Sequence, residues 1–247
     1  MRLQRRLPFG GILFLIACIA LLGCLGNWQV KRMHWKKALI DSYTKEYTRD
    51  PLANAFDSET LKAVALKNPA MEYGSVRGQF HHDVEILIGP RTYDGKPGYH
   101  IVTPFSIAGG NGRVLVNRGW VPLDMADPAT RLENQPEGMV TLTGMARLPD
   151  KPNPFTPDND PANHTWYSVN TQDIAIAVNM PDFPDVVFYA ETQDPPLTNG
   201  SFPVMVPTRT MPNNNHLQYA IFWFTMMGIF IALPLAYAFI PPRMKEE

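Results

Sequence analysis

Two uncharged runs near the ends of the chain constrain it more than any other feature. Leu7 to Gly26 (LPFGGILFLIACIALLGCLG) carries no charge for 20 residues. As a helix that is about 30 Å, the thickness of a bilayer core. Leu217 to Ile240 (LQYAIFWFTMMGIFIALPLAYAFI) is also uncharged. Tyr219 and Trp223 lie near one end of it and Tyr237 near the other, where aromatic side chains settle at a membrane interface. Pro234 falls inside this run, which membrane helices tolerate, and Pro241-Pro242 ends it. The expected order is a tail (1–6), a membrane helix (7–26), a domain (27–216), a second membrane helix (217–240) and a tail (241–247).

The end of the first run has two readings. Leu21-Leu22-Gly23-Cys24 spells a lipobox, in which a signal peptidase cuts before a cysteine that then carries lipid. The same residues serve equally as the end of a helix that is never cut. A second spanning helix is of little use to a chain already held by lipid, so the retained helix is the reading carried forward. Positive charge sets orientation. Arg2, Arg5 and Arg6 precede the first helix, and Lys31, Arg32, Lys36 and Lys37 follow it, which is close to balance. Arg243 and Lys245 beyond the second helix outweigh Arg209 before it. Both tails are therefore expected in the cytoplasm and the domain outside. The N-terminal tail is too short for a mitochondrial transit peptide. The expected location is a bacterial inner membrane, with a multi-pass chain and a periplasmic domain.

Charge and cysteine usage then narrow the function. The net charge is -1 and no basic block occurs, which argues against nucleic acid as a partner. Cys18 and Cys24 both lie in the first apolar run, so the domain has no disulfide framework and no cysteine metal site. Most of the 24 prolines fall between Pro90 and Pro212 and favour short strands and loops there.

Within the domain, Val30 to Arg49 has helical spacing, with Ala38, Leu39, Tyr43 and Tyr47 on one side, and Asp50-Pro51 ends it. A short helix is expected over Ser58 to Lys67, capped by Ser58, and another over Thr171 to Val178, capped by Thr171. Strands are expected at Tyr73–Phe80, Val84–Gly89, Gly98–Ile107, Arg113–Leu123 and Met139–Leu148. Gly109 to Gly112 (GGNG) marks a hairpin turn. Weaker strand patterns occupy Val186–Ala190 and Phe202–Val206. The fold class is thus two transmembrane helices flanking a mainly β (α+β) extracytoplasmic domain, a small antiparallel barrel or sandwich with short helices.

No GxSxG, P-loop or GxGxxG occurs, and the chain is not expected to be an enzyme. His81, His82 and Asp83 are adjacent, which suits a solvated turn better than chelation. His100, between two aromatics in GYHIVTPF, reads as a satisfied histidine rather than a ligand, and His164 in a polar loop carries no assignment. Met125, Met139, Met145, Met180, Met205 and Met211 are scattered without the spacing of a copper site. Arg118 in VNRGWVP has two readings: a structural ion pair under a barrel edge, or a contact to a partner or a propionate. His216 also has two. It opens the second apolar run, with Tyr219, Ala220, Trp223 and Met227 at i+3, i+4, i+7 and i+11. It is either an interfacial histidine among belt aromatics or a haem iron ligand with the porphyrin against the stripe.

Four motifs in order, LGNWQVKR (25–32), GYHIVTPF (98–105), VLVNRGWVP (114–122) and NNNHLQYAIFWF (213–224), resemble the Surfeit-one (Shy-one) family of cytochrome c oxidase assembly factors, as a bacterial member. The resemblance covers nearly the whole chain. It implies an assembly factor anchored by two helices, acting around oxidase subunit I, with haem a as a transient cofactor and haem a synthase as a possible partner beside the lipid bilayer. It aligns His216 with the histidine of the last motif, and Trp28, Gln29, Arg118, Gly119 and Trp120 with signature positions. It favours the retained helix over the lipobox. Three roles follow: a haem a chaperone that assists insertion into subunit I, with His216 on the iron and Tyr219 and Trp223 beside it; a cofactor-free scaffold for subunit I intermediates; and a membrane-anchored copper carrier.

Overall fold

A computed structural model describes residues 8–67, 70–110, 112–198, 202–205 and 213–239. It divides into two compact units, residues 42–210 and the paired terminal segments 1–41 and 211–247.

The terminal unit holds two helices long and apolar enough to cross a membrane. The first, α1 (Phe9–Tyr47), is one uninterrupted helix of 39 residues. The apolar run and the helix-like stretch after Asn27 are therefore a single element rather than two. Gly26 and Asn27 have low helix propensity, but neither removes a backbone donor as proline would, so a favourable neighbour can carry the helix through. Its last residues belong to the other unit, where Tyr43 and Tyr47 pack on Met71, Tyr73 and Met145. The C-terminal helix spans His216–Phe239 and keeps Pro234 inside it; Ile240 lies outside the described residues.

The central unit is built on six strands: β1 (Met71–Phe80), β2 (Ile86–Tyr93), β3 (Lys96–Ile107), β4 (Arg113–Pro122), β5 (Val140–Arg147) and β6 (Val187–Asp194). They run in the order β1-β5-β6-β4-β3-β2, and β1 also pairs with β3. That second pairing closes five strands into a barrel and leaves β2 as an added strand. At 12 residues β3 is long enough to serve both neighbours. Its C-terminal part meets β1 (Ile107 opposite Gly78), and its N-terminal part meets β2 (Val102 opposite Ile86). The barrel is antiparallel except for the β4–β6 pair, which is parallel. β1 and β5 pair directly, with Gly74 opposite Gly144.

Alternation along β4 sorts the core. Val114 and Val116 join Val76, Phe105, Leu142 and Phe188 in one buried cluster, while Leu115 faces the other way with Ile86, Ile88, Val102 and Trp166. Two short helices complete these layers. The first, α2 (Ser58–Val64), adds Leu61 and Val64 to the first cluster. Its cap is Asp57 rather than Ser58: Asp57 accepts from the Thr60 amide while the Thr60 hydroxyl takes the Asp57 amide, a reciprocal box. The second, α3 (Thr171–Ala177), adds Ile174 to the second cluster and is capped by Asn170 rather than Thr171. The final helix, His216–Phe239, is α4. Of the segment expected over Phe202–Val206, Val204 forms an isolated bridge to Trp120, and Val206 lies outside the described residues.

That bridge explains one glycine. Gly119 has φ +123°, and a Cβ there would meet the Val204 carbonyl oxygen at 2.1 Å. Substitution by alanine therefore strains the backbone by about 1–3 kcal/mol and must also push Val204 away from the barrel. We expect Gly119→Ala to lower the Tm of the full-length protein in detergent, with Gly110→Ala, where a Cβ meets nothing nearer than the Gly112 amide nitrogen at 4.0 Å, as the unshifted control.

Candidate functional site

The terminal unit carries a fitted antiparallel contact between α1 and α4. Rising residue numbers on one helix meet falling numbers on the other. Gly23 lies opposite Met227, and Gly26 opposite the Phe224 ring, where a Cβ would come within 2.7 Å of the ring carbons. Next comes His216, whose Nδ1 lies 2.7 Å from the Gln29 Oε1. The Asn214 side-chain amide then donates to the Met33 carbonyl at 3.2 Å, and the Lys36 ammonium donates to the Asn213 carbonyl. The small residues Gly23 and Gly26 allow this approach, as is general where two helices pack in lipid. Gln29 is buried, with Gly26 one turn before it and Ala220 buried on α4.

The His216 contact has a defined direction. An amide oxygen can only accept, so Nδ1–H of His216 donates to Gln29. The other ring nitrogen, Nε2, makes no hydrogen bond among the described residues. His216 is half-buried, Trp223 is half-buried, and Tyr219 is exposed. The proposed stripe is divided. Ala220 is buried and Met227 lies against Gly23, so of the four positions Tyr219 and Trp223 keep accessible surface on the turns after His216. An imidazole nitrogen without a hydrogen-bond partner is a donor of the kind that fits a haem iron. Asn214 Oδ1 is also buried without a hydrogen-bond partner. Trp28 is on α1 and 56% exposed.

In the barrel unit, Arg118 is fully buried, and its surroundings are structural. Arg131 forms a bidentate pair with Glu85, and Arg118 lies 3.8 Å from the same carboxylate. Arg118 also donates to the Asn134 carbonyl and stacks over the Phe80 ring at 4.6 Å. Burial pushes its guanidinium down to about 10, against the pull of Glu85. One carboxylate thus faces two guanidiniums, and Arg131 is further held by the Met125 and Ala126 carbonyls. Trp120 is buried too. Its indole donates to the Arg91 carbonyl and packs against Tyr93 and Phe202.

The remaining histidines fall elsewhere. The expected solvated turn at His81–Asp83 is instead a short 3-10 turn with both histidines half-buried. His81 pairs with the Ser106 hydroxyl at 2.7 Å, and His82 lies beside Arg118 with Nδ1 3.4 Å from the guanidinium. The Phe80 ring and the Pro136 carbonyl draw His82 in. Burial, then the charge of Arg118, holds its imidazole below the usual histidine range. His100 accepts from the Asn117 amide at 3.3 Å, and burial, reinforced by Arg91, pushes it down to about 4. His164 is an exposed residue at the end of a short turn. The partners that sequence reasoning missed are Gln29 for His216 and Glu85 and Arg131 for Arg118. The signal that could have found Glu85 is a lone acid in an apolar strand run, VEILIG.

Two outcomes follow from the barrel charges. Glu85→Gln leaves two buried guanidiniums without a counter-charge and should cost about 3–5 kcal/mol, read from denaturant unfolding of the full-length protein. His82 and His100 are both depressed when folded, so the unfolded chain binds more protons below about pH 6.5. Stability should be complete above that pH and fall as pH drops toward 4. The Tm between pH 7.5 and 5 should decline, and decline less in His100→Gln.

Comparison with known proteins agrees with the motifs. The SURF1 family profile matches residues 16–228. A SURF1-like protein of Drosophila melanogaster is 34% identical over 238 residues, covering 89% of this chain and 74% of that one. Surfeit locus protein 1 of Takifugu rubripes is 30% identical over 227 residues (85% and 90%), and that of Homo sapiens 32% over 216 residues (81% and 68%). With a profile that spans most of the chain and relatives covered over most of their own length, the chain belongs to the SURF1 family, whose assembly-factor motifs its sequence resembles.

Proposed function

We propose that the protein is an inner-membrane assembly factor for a haem–copper (cytochrome c) oxidase, and that it carries haem a as cargo toward subunit I. The observation that supports this reading is the open Nε2 of His216 at the start of a membrane-length helix, with Tyr219 and Trp223 three and seven residues on. A neutral imidazole nitrogen is a standard axial ligand for haem iron. At that place the porphyrin would lie along the two aromatics and its farnesyl tail would remain in lipid. The reaction is transfer rather than turnover: the chain binds the haem, keeps it out of water and releases it. Haem a synthase would supply the cargo. The charge count beyond α4, Arg243 and Lys245, supports cytoplasmic tails and a periplasmic barrel in a bacterial inner membrane.

A second reading is a scaffold without a cofactor, holding subunit I intermediates. The complete burial of Arg118 and Trp120 favours a structural part for these two signature residues under either reading. The copper-carrier reading stands third, because both cysteines, Cys18 and Cys24, lie in the first apolar run.

The test is a visible absorption spectrum. The full-length protein is co-expressed with the enzymes of haem a synthesis and purified in mild detergent, beside His216→Ala. The expected outcome is a haem a spectrum in the parent that is lost in the variant. A parent without haem that still co-purifies with subunit I would move the assignment to the scaffold.

A further inference from the structure

We propose that Gln29 is a positioning residue for His216: its side-chain oxygen selects the imidazole tautomer that leaves Nε2 free for iron. The inference rests on the haem-carrier reading of His216. A histidine can bind iron through Nε2 only if the proton sits on Nδ1, and the hydrogen bond to the other nitrogen decides which tautomer is present. Here that bond is the 2.7 Å contact to Gln29 Oε1, from a side chain only 9% exposed.

The pairing is built rather than incidental. Gly26, one turn before Gln29, admits the Phe224 ring to a distance that any side chain would block. Asn214 bonded to Met33 and Lys36 bonded to Asn213 hold the register on the other side. Gln29 thus has contacts before and after it that keep it opposite His216. If the amide turned over, its NH2 would donate to Nδ1 and the proton would move to Nε2, closing the ligand position.

The choice of an amide also has a consequence for a carrier. A carboxylate at this place would draw the Nδ1 proton more strongly, make Nε2 a stronger donor and favour ferric iron. An apolar residue would do the opposite. Glutamine lies between, firm enough to orient the ring and weak enough to let the cargo go.

Two measurements on full-length protein in detergent test this. The first needs no haem. With histidine labelled by 15N, and His216 identified by its loss in His216→Ala, the parent should show Nδ1–H and an unprotonated Nε2, and Gln29→Leu should lose that preference. The second is the midpoint potential of bound haem a in the parent, Gln29→Glu and Gln29→Leu. The potential should fall in Gln29→Glu and rise in Gln29→Leu, and the affinity for haem should drop about 10–100-fold in Gln29→Leu. A purely structural part for Gln29 would reduce occupancy in both variants without moving the potentials in opposite directions. Haem-bound proteins with the same potential, or a parent carrying the proton on Nε2, overturn the role of Gln29 alone. If Gln29→Leu does not fold, Gln29→Glu must still lower the potential or the proposal fails. A parent that binds no haem removes the carrier reading and with it the purpose of the pair.

Discussion

The barrel depends on one long strand. With 12 residues, β3 pairs along one edge with β4 and divides its other edge between β1 and β2. Shorten it and the β1–β3 pairing is lost, the barrel opens, and both new edges expose unpaired backbone groups. The same strand supplies Phe105 and Ile107 to one buried cluster and Val102 to the other, so closure and core packing are set together. A register shift between Ile101 and Val102 in its pairing with β4 lets the strand serve both ends without a break.

Charge and polarity occur in two different ways in the two units. Inside the barrel unit, Glu85, Arg118 and Arg131 are buried, paired and locked to backbone carbonyls. Such a cluster orders a fold, because any member left alone in the interior is costly. In the helix pair the side chains nearest the Gly26–Phe224 contact are uncharged, Lys36 lies further along, and His216 has a ring nitrogen without a hydrogen bond among the described residues. On the proposed carrier reading, that half-buried nitrogen is where the cargo would bind. The barrel cluster, by contrast, has its charges paired, with Arg118 Nε buried without a partner. The signature residues Arg118 and Trp120 therefore divide from His216 and Gln29 by environment.

What could be read in advance follows from how local each signal is. The two membrane-length helices were legible because the absence of charge over 20 residues needs no partner to interpret. The strands were legible through alternation, and the β3–β4 hairpin through its glycines. The continuity of α1 was not, because Gly26 and Asn27 look like an end until Phe224 is seen against Gly26. Nor was the parallel β4–β6 pair, since Leu115 and Val187 are far apart in sequence. The caps of α2 and α3 were misplaced by one residue, because Asp57 and Ser58, like Asn170 and Thr171, can each cap a helix and only hydrogen bonds choose. At the site, His216 and the aromatics after it were visible as a spacing. Gln29 was visible as a signature residue without a role, because its partner lies 187 positions away.

On the proposed carrier reading, a single imidazole, positioned by the helix pair, would hold the iron. The most direct measurement is pulsed electron paramagnetic resonance of the ferric haem on full-length protein labelled with 15N in histidine only. The account predicts a strong 15N hyperfine coupling from an axial nitrogen, present in the parent. Haem bound to the parent with nitrogen couplings from the porphyrin alone would contradict it.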